Sequence, residues 1–164
     1  MNEEKHVTVG SYIGSRLAEA GVRHYFAVPG DYNLILLDEL LKNDGLTMIS
    51  CCNELSAGYA ADGYARANGV AAQVVTFSVG GLSALNAIAG AYAEDLSVII
   101  ISGGPNTNSE MENRILHHTY GEVRYGYQRD IFSHATGLSV VVRHLEDAPY
   151  LIDKAIEECV FGKK

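Results

Sequence analysis

Short apolar runs alternate along this chain with segments whose apolar residues recur at helical spacing. The runs predict four strands, at residues 24–28, 47–52, 71–78 and 96–102. The helical segments lie at 9–20, 34–41, 54–67 and 82–93, and a Gly80-Gly81 turn precedes the last of them. Near-continuous apolar strands that alternate with helices are typical of an open, mainly parallel sheet with helices on both faces. The predicted fold class is therefore α/β.

The pattern changes after the fourth strand. Residues 103–125 are rich in Asn, Thr, Ser and Gly and predict a long irregular loop. A helix at 125–132, a strand at 138–142 and a helix at 147–159 follow. No linker divides the chain, so residues 1–164 are interpreted as one domain. Because this pattern would normally lead into another strand, we expect the domain to come from a longer protein.

Composition narrows the classes of partner. The chain has 164 residues, 48% of them hydrophobic, and a net charge of -8 without a Lys/Arg cluster. This charge argues against nucleic acids and anionic membranes as partners. The polar first residues, with no apolar run behind them, predict a soluble cytoplasmic protein. Three cysteines without C-x-x-C spacing predict small buried residues in a reducing compartment.

Polar residues follow each of the predicted strands. In parallel sheets, ligands bind beyond the carboxyl ends of the strands. The residues found there are Asp31, Glu54, Ser78, His117 and His118. Two carboxylates and a histidine pair suit proton transfer.

Each of these residues also has a simpler interpretation. Glu54 at a helix start would serve as a cap, and Asp31 after Pro29-Gly30 as a turn residue. Adjacent loop histidines are more often solvated than bound to a metal. The Gly80-Gly81 pair is only weak evidence for phosphate binding, since no G-x-G-x-x-G motif is present.

Six short motifs resemble the pyrimidine-binding domain of pyruvate and indolepyruvate decarboxylases, which are thiamine-diphosphate-dependent enzymes. They are VPGDYN at 28–33, CCNEL at 51–55, GYAADGYAR at 58–66, VTFSVGGLS at 75–83, GAYAE at 90–94 and RILHHT at 114–119. The last resembles a double-histidine motif that many other thiamine-diphosphate enzymes lack. The resemblance covers nearly the whole chain.

The resemblance implies a role for each candidate residue. Glu54 resembles the glutamate that binds the aminopyrimidine nitrogen of the cofactor and so promotes loss of the thiazolium C2 proton. Asp31, His117 and His118 resemble the cluster that handles the substrate carboxylate and delivers a proton after decarboxylation, so that an aldehyde is released. Ser78 and Pro29 would line the cofactor site.

The family's diphosphate and Mg2+ site lies in a separate C-terminal domain with a Gly-Asp-Gly motif. No Gly-Asp-Gly occurs in this sequence. The family builds each active site between the pyrimidine domain of one subunit and the diphosphate domain of another. By resemblance, this chain supplies half a site in a homo-oligomer and no metal ligand, and we expect it to be inactive alone.

Three functions remain open. Pyruvate is preferred as the substrate because the stretches 51–54 and 102–106 resemble the pyruvate branch more closely. The first alternative is a decarboxylase of indolepyruvate or another 2-oxo acid, or a carboligase. The second is a binding module without catalysis.

Overall fold

A computed structural model describes residues 6–162 of the chain. In chain order the elements are α1 (Val9–Glu19), β1 (His24–Ala27), α2 (Leu34–Leu40), β2 (Thr47–Ser50), α3 (Glu54–Asn68), β3 (Ala71–Val75), α4 (Val79–Ala93), β4 (Val98–Ser102), α5 (Thr107–Met111), α6 (Tyr127–Phe132) and α7 (Ala148–Phe161). No helix in this described range is long and apolar enough to cross a membrane.

The four strands form one parallel sheet in the order β2-β1-β3-β4. Side chains alternate across it, as strand geometry requires. Tyr25 and Ala27 face a core built with α1, α2 and α7, whereas Phe26 faces a second core with α3. Every residue of β3 is buried. The predicted α/β fold, with helices on both faces of a parallel sheet, is confirmed.

Local signals in the sequence set several helix ends. The Thr8 side chain accepts a hydrogen bond from the Ser11 amide at the start of α1, and the Ser11 hydroxyl reaches the Thr8 amide in return. Gly69 ends α3 in the left-handed region at a φ of 91°. The helix predicted at 54–67 therefore ends within one residue of the end of α3.

The predicted strand at 138–142 is wrong. This segment has no regular structure, and within the described residues no backbone hydrogen bond joins it to β4. Val140 lines the same cavity of about 770 Å³ as Ile99 and Ile101 of β4. The apolar pattern suits a strand, but a strand also needs a neighbour within hydrogen-bonding distance.

The Gly80-Gly81 turn is also wrong, because both glycines lie inside the first turn of α4. The chain reverses earlier, at residues 76–78, so β3 ends at Val75 and not at Ser78. Both glycines are buried where a Cβ atom would clash with neighbouring side chains. Close packing, and not backbone freedom, explains these two glycines.

The predicted loop at 103–125 contains the short helix α5. Asn106 caps this helix by accepting a hydrogen bond from the Ser109 amide at 2.9 Å. None of the helix's residues is buried. A single exposed turn leaves no apolar periodicity in the sequence, so the pattern could not predict it.

Candidate active site

The carboxyl ends of the strands bring two groups of candidate residues to one edge of the sheet. The first group, which we call the Asp–His cluster, consists of Asp31, His117 and His118. Asp31 Oδ2 lies 3.3 Å from His117 Nε2. The two imidazole rings have centroids 4.7 Å apart and pack edge to face. The structure thus joins residues that are more than 80 positions apart in the sequence.

The second group lies where the turns after β1 and β3 meet the start of α3. We call it the glycine cradle: Gly30, Glu54, Thr76 and Gly80. A Cβ atom at Gly30 would lie 2.7 Å from Thr76 Cβ, and one at Gly80 would lie 3.0 Å from Glu54 Oε1. Only glycine permits the backbone to approach these side chains so closely.

Glu54 is the first residue of α3, but it is not the cap of that helix. The Asn53 side chain takes that role and accepts a hydrogen bond from the Ser56 amide at 2.8 Å. Buried Gln73, from the centre of β3, donates from Nε2 to the Glu54 carbonyl oxygen at 2.7 Å. Among residues 6–162, the Glu54 carboxylate itself has no recorded hydrogen bond or ion pair. The interpretation of Glu54 as the cap of α3 is therefore wrong, because Asn53 takes that role.

Ser78 occupies a strained turn behind the cradle. Its side chain is 1% exposed, and its backbone has a φ of 58° and a ψ of -93°. Its amide donates to Gln128 Oε1 at 2.5 Å. Such a conformation costs free energy in a non-glycine residue and persists where the surroundings enforce it. Ser78 thus shapes the turn between β3 and α4, which places Thr76 and Gly80 of the cradle.

Phe77 connects the cradle to the Asp–His cluster. Phe77 follows Thr76 directly in the chain, and its ring is buried. The centroid of this ring is 5.6 Å from the Tyr32 ring centroid and 5.6 Å from the Tyr127 ring centroid. Pro29 is exposed and has no recorded polar contact within the described part of the chain. Of the predicted site residues, Pro29 is thus the one placed at the margin.

Several residues of the site were missed by the sequence analysis. They are Tyr32, Gln73, Thr76, Phe77, Tyr125, Tyr127 and Gln128. Tyr32, Thr76 and Phe77 lie within the six motifs, the first shortly after the strand predicted at 24–28 and the other two near the end of the strand predicted at 71–78, so their positions were a usable signal. Gln73 is a polar residue within an apolar strand, which is a second signal. No pattern in the sequence marks Gln128 as the partner of the Ser78 amide.

Burial changes the pKa of Tyr32 at this edge of the sheet. The pKa of the Tyr32 hydroxyl is raised, first by burial and then by the nearby Tyr125, Asp31 and Tyr127. The Tyr32 hydroxyl is therefore harder to ionise than that of an exposed tyrosine, and like other tyrosine hydroxyls it can donate a hydrogen bond.

Comparison with known proteins gives concordant matches. Residues 7–131 match the family model for the thiamine pyrophosphate enzyme N-terminal TPP binding domain. Pyruvate decarboxylase 3 of Arabidopsis thaliana is 59% identical over 149 residues, which are 91% of this chain and 25% of that protein. Pyruvate decarboxylase 1 of Pisum sativum is 57% identical over 96% of this chain and 26% of that protein.

A relative from another species has a similar sequence identity and coverage. Pyruvate decarboxylase of Neurospora crassa is 51% identical over 157 residues, or 96% of this chain and 28% of that protein. The chain thus spans about a quarter of the length of the curated relatives it matches. The family model covers well over half of the chain, in agreement with the parallel sheet and the strand-end site. The chain therefore belongs to the thiamine pyrophosphate enzyme N-terminal TPP binding domain family.

Proposed function

We propose that this chain is the pyrimidine-binding half of a thiamine-diphosphate-dependent 2-oxo acid decarboxylase that converts pyruvate to acetaldehyde and carbon dioxide. The observation that carries the proposal is the Glu54 carboxylate, which has no hydrogen-bond or ion-pair partner within residues 6–162 and lies in the glycine cradle, beside the Asp–His cluster. The names of the relatives, at 50–59% identity, support pyruvate as the substrate.

The cradle has features that fit the flat aminopyrimidine end of the cofactor. Thr76 Oγ1 in the cradle, and His118 Nδ1 in the neighbouring Asp–His cluster, are buried polar atoms without a hydrogen-bond partner among the described residues. Such atoms are costly unless a ligand or water satisfies them. Gly30 and Gly80 have no side chains, so the backbone there lies directly against the side chains of Thr76 and Glu54. The charged residue of the cradle is Glu54, whose carboxyl group can hold a proton against a ring nitrogen but would repel a diphosphate.

In the proposed mechanism, the Glu54 carboxyl group would hold a proton against the pyrimidine nitrogen of the bound cofactor. The hydrogen bond from Gln73 Nε2 to the Glu54 carbonyl oxygen fixes the backbone of Glu54. It thereby limits the directions in which the Glu54 carboxylate can point. When bound, the cofactor supplies the nucleophilic carbon and the electron sink for loss of carbon dioxide. Pro29 and Ser78 are proposed as further cofactor contacts, the latter through the shape of its turn.

The Asp–His cluster is proposed to act on the substrate. His117 Nε2 and the Asp31 carboxylate form a pair that can bind the substrate carboxylate and move a proton, and His118 lies against them. The side chains of Asp31 and His117 are 78% and 51% exposed. Proton transfer shielded from water therefore requires a second surface to cover the cluster.

We propose that a diphosphate-binding domain, from the same or a neighbouring chain of a homo-oligomer, provides that surface together with the Mg2+ site. Within residues 6–162 there is no group of three His, Cys, Asp or Glu side chains able to hold a metal ion. The three cysteines, all free, fit a cytoplasmic enzyme.

A chimera tests this proposal directly. Residues 7–161 of this chain would replace the matching segment of the Pisum sativum relative, and acetaldehyde formation from pyruvate would be measured with thiamine diphosphate and Mg2+. The expected result is turnover, which His118→Ala reduces. Replacing pyruvate by indolepyruvate in the same assay tests the substrate. A folded chimera that binds the cofactor without turnover would refute the decarboxylase and favour a binding module.

A further inference from the structure

Three tyrosine hydroxyls hold the backbone of the double-histidine loop. Tyr32 donates to the carbonyl oxygen of His117 at 3.0 Å, and Tyr127 donates to that of His118 at 2.8 Å. Tyr125 donates to the carbonyl oxygen of Arg114 in the same loop. We call Tyr32, Tyr125 and Tyr127 the tyrosine clasp. The clasp secures three carbonyl groups within five residues.

The rings of the clasp are themselves fixed by packing. All three make edge or tilted contacts with the ring of Phe77, at centroid distances of 5.6, 6.4 and 5.6 Å. Tyr127 is 6% exposed and Phe77 is 4% exposed. Because Phe77 follows Thr76 directly, the clasp links the double-histidine loop to the glycine cradle.

The loop needs such support. His118 has a φ of 65°, in the left-handed region that a non-glycine residue seldom adopts. Its Nδ1 atom is buried without a partner among the described residues. The Tyr32 ring also stacks on the His117 ring, at 4.7 Å between centroids and 19° between planes. Each histidine thus has its carbonyl held by one tyrosine.

We propose that Tyr32 and Tyr127 are positioning residues for the reaction: their hydroxyls fix the backbone at His117 and His118 so that both imidazoles meet the substrate in one orientation. This inference rests on the proposed function. The competing explanation is that the rings only fill space, in which case phenylalanine would replace tyrosine without effect.

Tyr32→Phe and Tyr127→Phe separate these explanations, because they keep the rings and remove the hydroxyl groups. Tyr59→Phe is the matched control, since the Tyr59 hydroxyl accepts a hydrogen bond from Asn86 at 2.8 Å and makes no contact with the loop. NMR of this chain gives a readout that is independent of activity. The intraresidue HN–Hα NOE of His118 reports its φ, because a positive φ brings these two protons close together, and the ring-proton shifts of His117 report its stacking on Tyr32.

We expect Tyr127→Phe to weaken the intraresidue HN–Hα NOE of His118, and Tyr32→Phe to shift the His117 ring protons. Tyr59→Phe should change neither. In the chimera, each loop variant should lower kcat about tenfold, the effect of losing roughly one hydrogen bond's worth of transition-state stabilisation. KM and the affinity for thiamine diphosphate should change by less than about twofold, because the hydroxyls orient groups and do not bind the ligands.

Unchanged NMR parameters, or an unchanged kcat in a chimera whose parent is active, would overturn the positioning role. A fall in kcat that Tyr59→Phe reproduces would overturn it as well. An inactive parent chimera would refute the proposed function instead. In that case the NMR comparison would still decide whether the hydroxyls hold the two histidines.

Discussion

Replacing Glu54 by Gln removes one negative charge from the glycine cradle and leaves the size of the side chain almost unchanged. Three observations limit what else this substitution alters. Asn53 caps α3, Gln73 binds the Glu54 backbone carbonyl, and neither contact involves the Glu54 carboxylate. Helix capping and backbone position should therefore survive in Glu54→Gln.

The effect on stability follows from the position of Glu54 in the first turn of α3. A carboxylate there interacts with the helix dipole by about 0.3–1 kcal/mol. The free energy of unfolding should fall by no more than about 1 kcal/mol, measured by urea denaturation. Glu94→Gln is a suitable control, because its exposed carboxylate lies 3.6 Å from Arg66 in a surface ion pair of small energetic value.

The effect on chemistry should be larger. A hydrogen bond to a charged group contributes about 1.5–3 kcal/mol, and each 1.36 kcal/mol of transition-state stabilisation is about tenfold in rate. Glu54→Gln in the chimera should therefore slow decarboxylation by at least about ten- to a hundredfold. Exchange of the cofactor C2 proton for deuterium, followed by NMR after acid quench, should slow in parallel. Glu94→Gln should leave both rates intact.

The result that would refute this reasoning is C2–H exchange in Glu54→Gln as fast as in the parent chimera. A loss of stability well above about 1 kcal/mol would contradict it differently. It would show that the carboxylate has a structural partner, so that any loss of rate could reflect a damaged fold.

Further predictions concern packing, capping and pH. Gly80→Ala should destabilise the domain by about 1–3 kcal/mol, because the new Cβ would lie 2.8 Å from Thr76 Cγ2. Gly90→Ala in the same helix should stabilise the domain by about 0.5–1 kcal/mol, because no atom lies within 4 Å of the new Cβ. Asn53→Ala should cost about 1 kcal/mol in urea denaturation through loss of the α3 cap. Burial raises the pKa of the Cys159 thiol from 9.0 to about 11. The folded protein therefore holds this proton more tightly than the unfolded chain does, and the free energy of unfolding should fall as pH rises from about 9 to about 11. Cys159→Ala should remove that part of the fall.

The sequence pattern predicted the sheet well because its signals are local. Each strand is a short apolar run, and each crossover helix has its own start and end, such as Gly69 after α3. The strand at 138–142 failed for the opposite reason. Its pattern is that of a strand, but pairing depends on a neighbour that its own residues do not specify.

The candidate site was predicted in outline, since strand ends of a parallel sheet meet at one edge. The pairing of Asp31 with His117 agrees with that geometry. The contacts that hold the site together were not predictable in the same way. Tyr127 reaches His118, and Gln128 reaches Ser78, through tertiary packing that leaves no spacing rule in the sequence.

The strand order also bears on how the domain folds. β1 pairs with β2 in the register of His24 with Thr47, and with β3 in the register of Tyr25 with Ala72. The β1–β3 pairing closes a loop about twice as long as the loop that the β1–β2 pairing closes. The chain therefore loses more conformational entropy before the β1–β3 contacts form. Early partly folded states should therefore contain the β1–β2 pair first.

The glycine cradle cannot exist in such states, because Gly30 follows β1 whereas Thr76 and Gly80 follow β3. A ligand that binds the cradle has nothing to bind until the slower pairing is complete. It should thus leave the folding rate unchanged and slow unfolding instead. Cofactor binding would then set how long the native domain lasts, and not how quickly it forms.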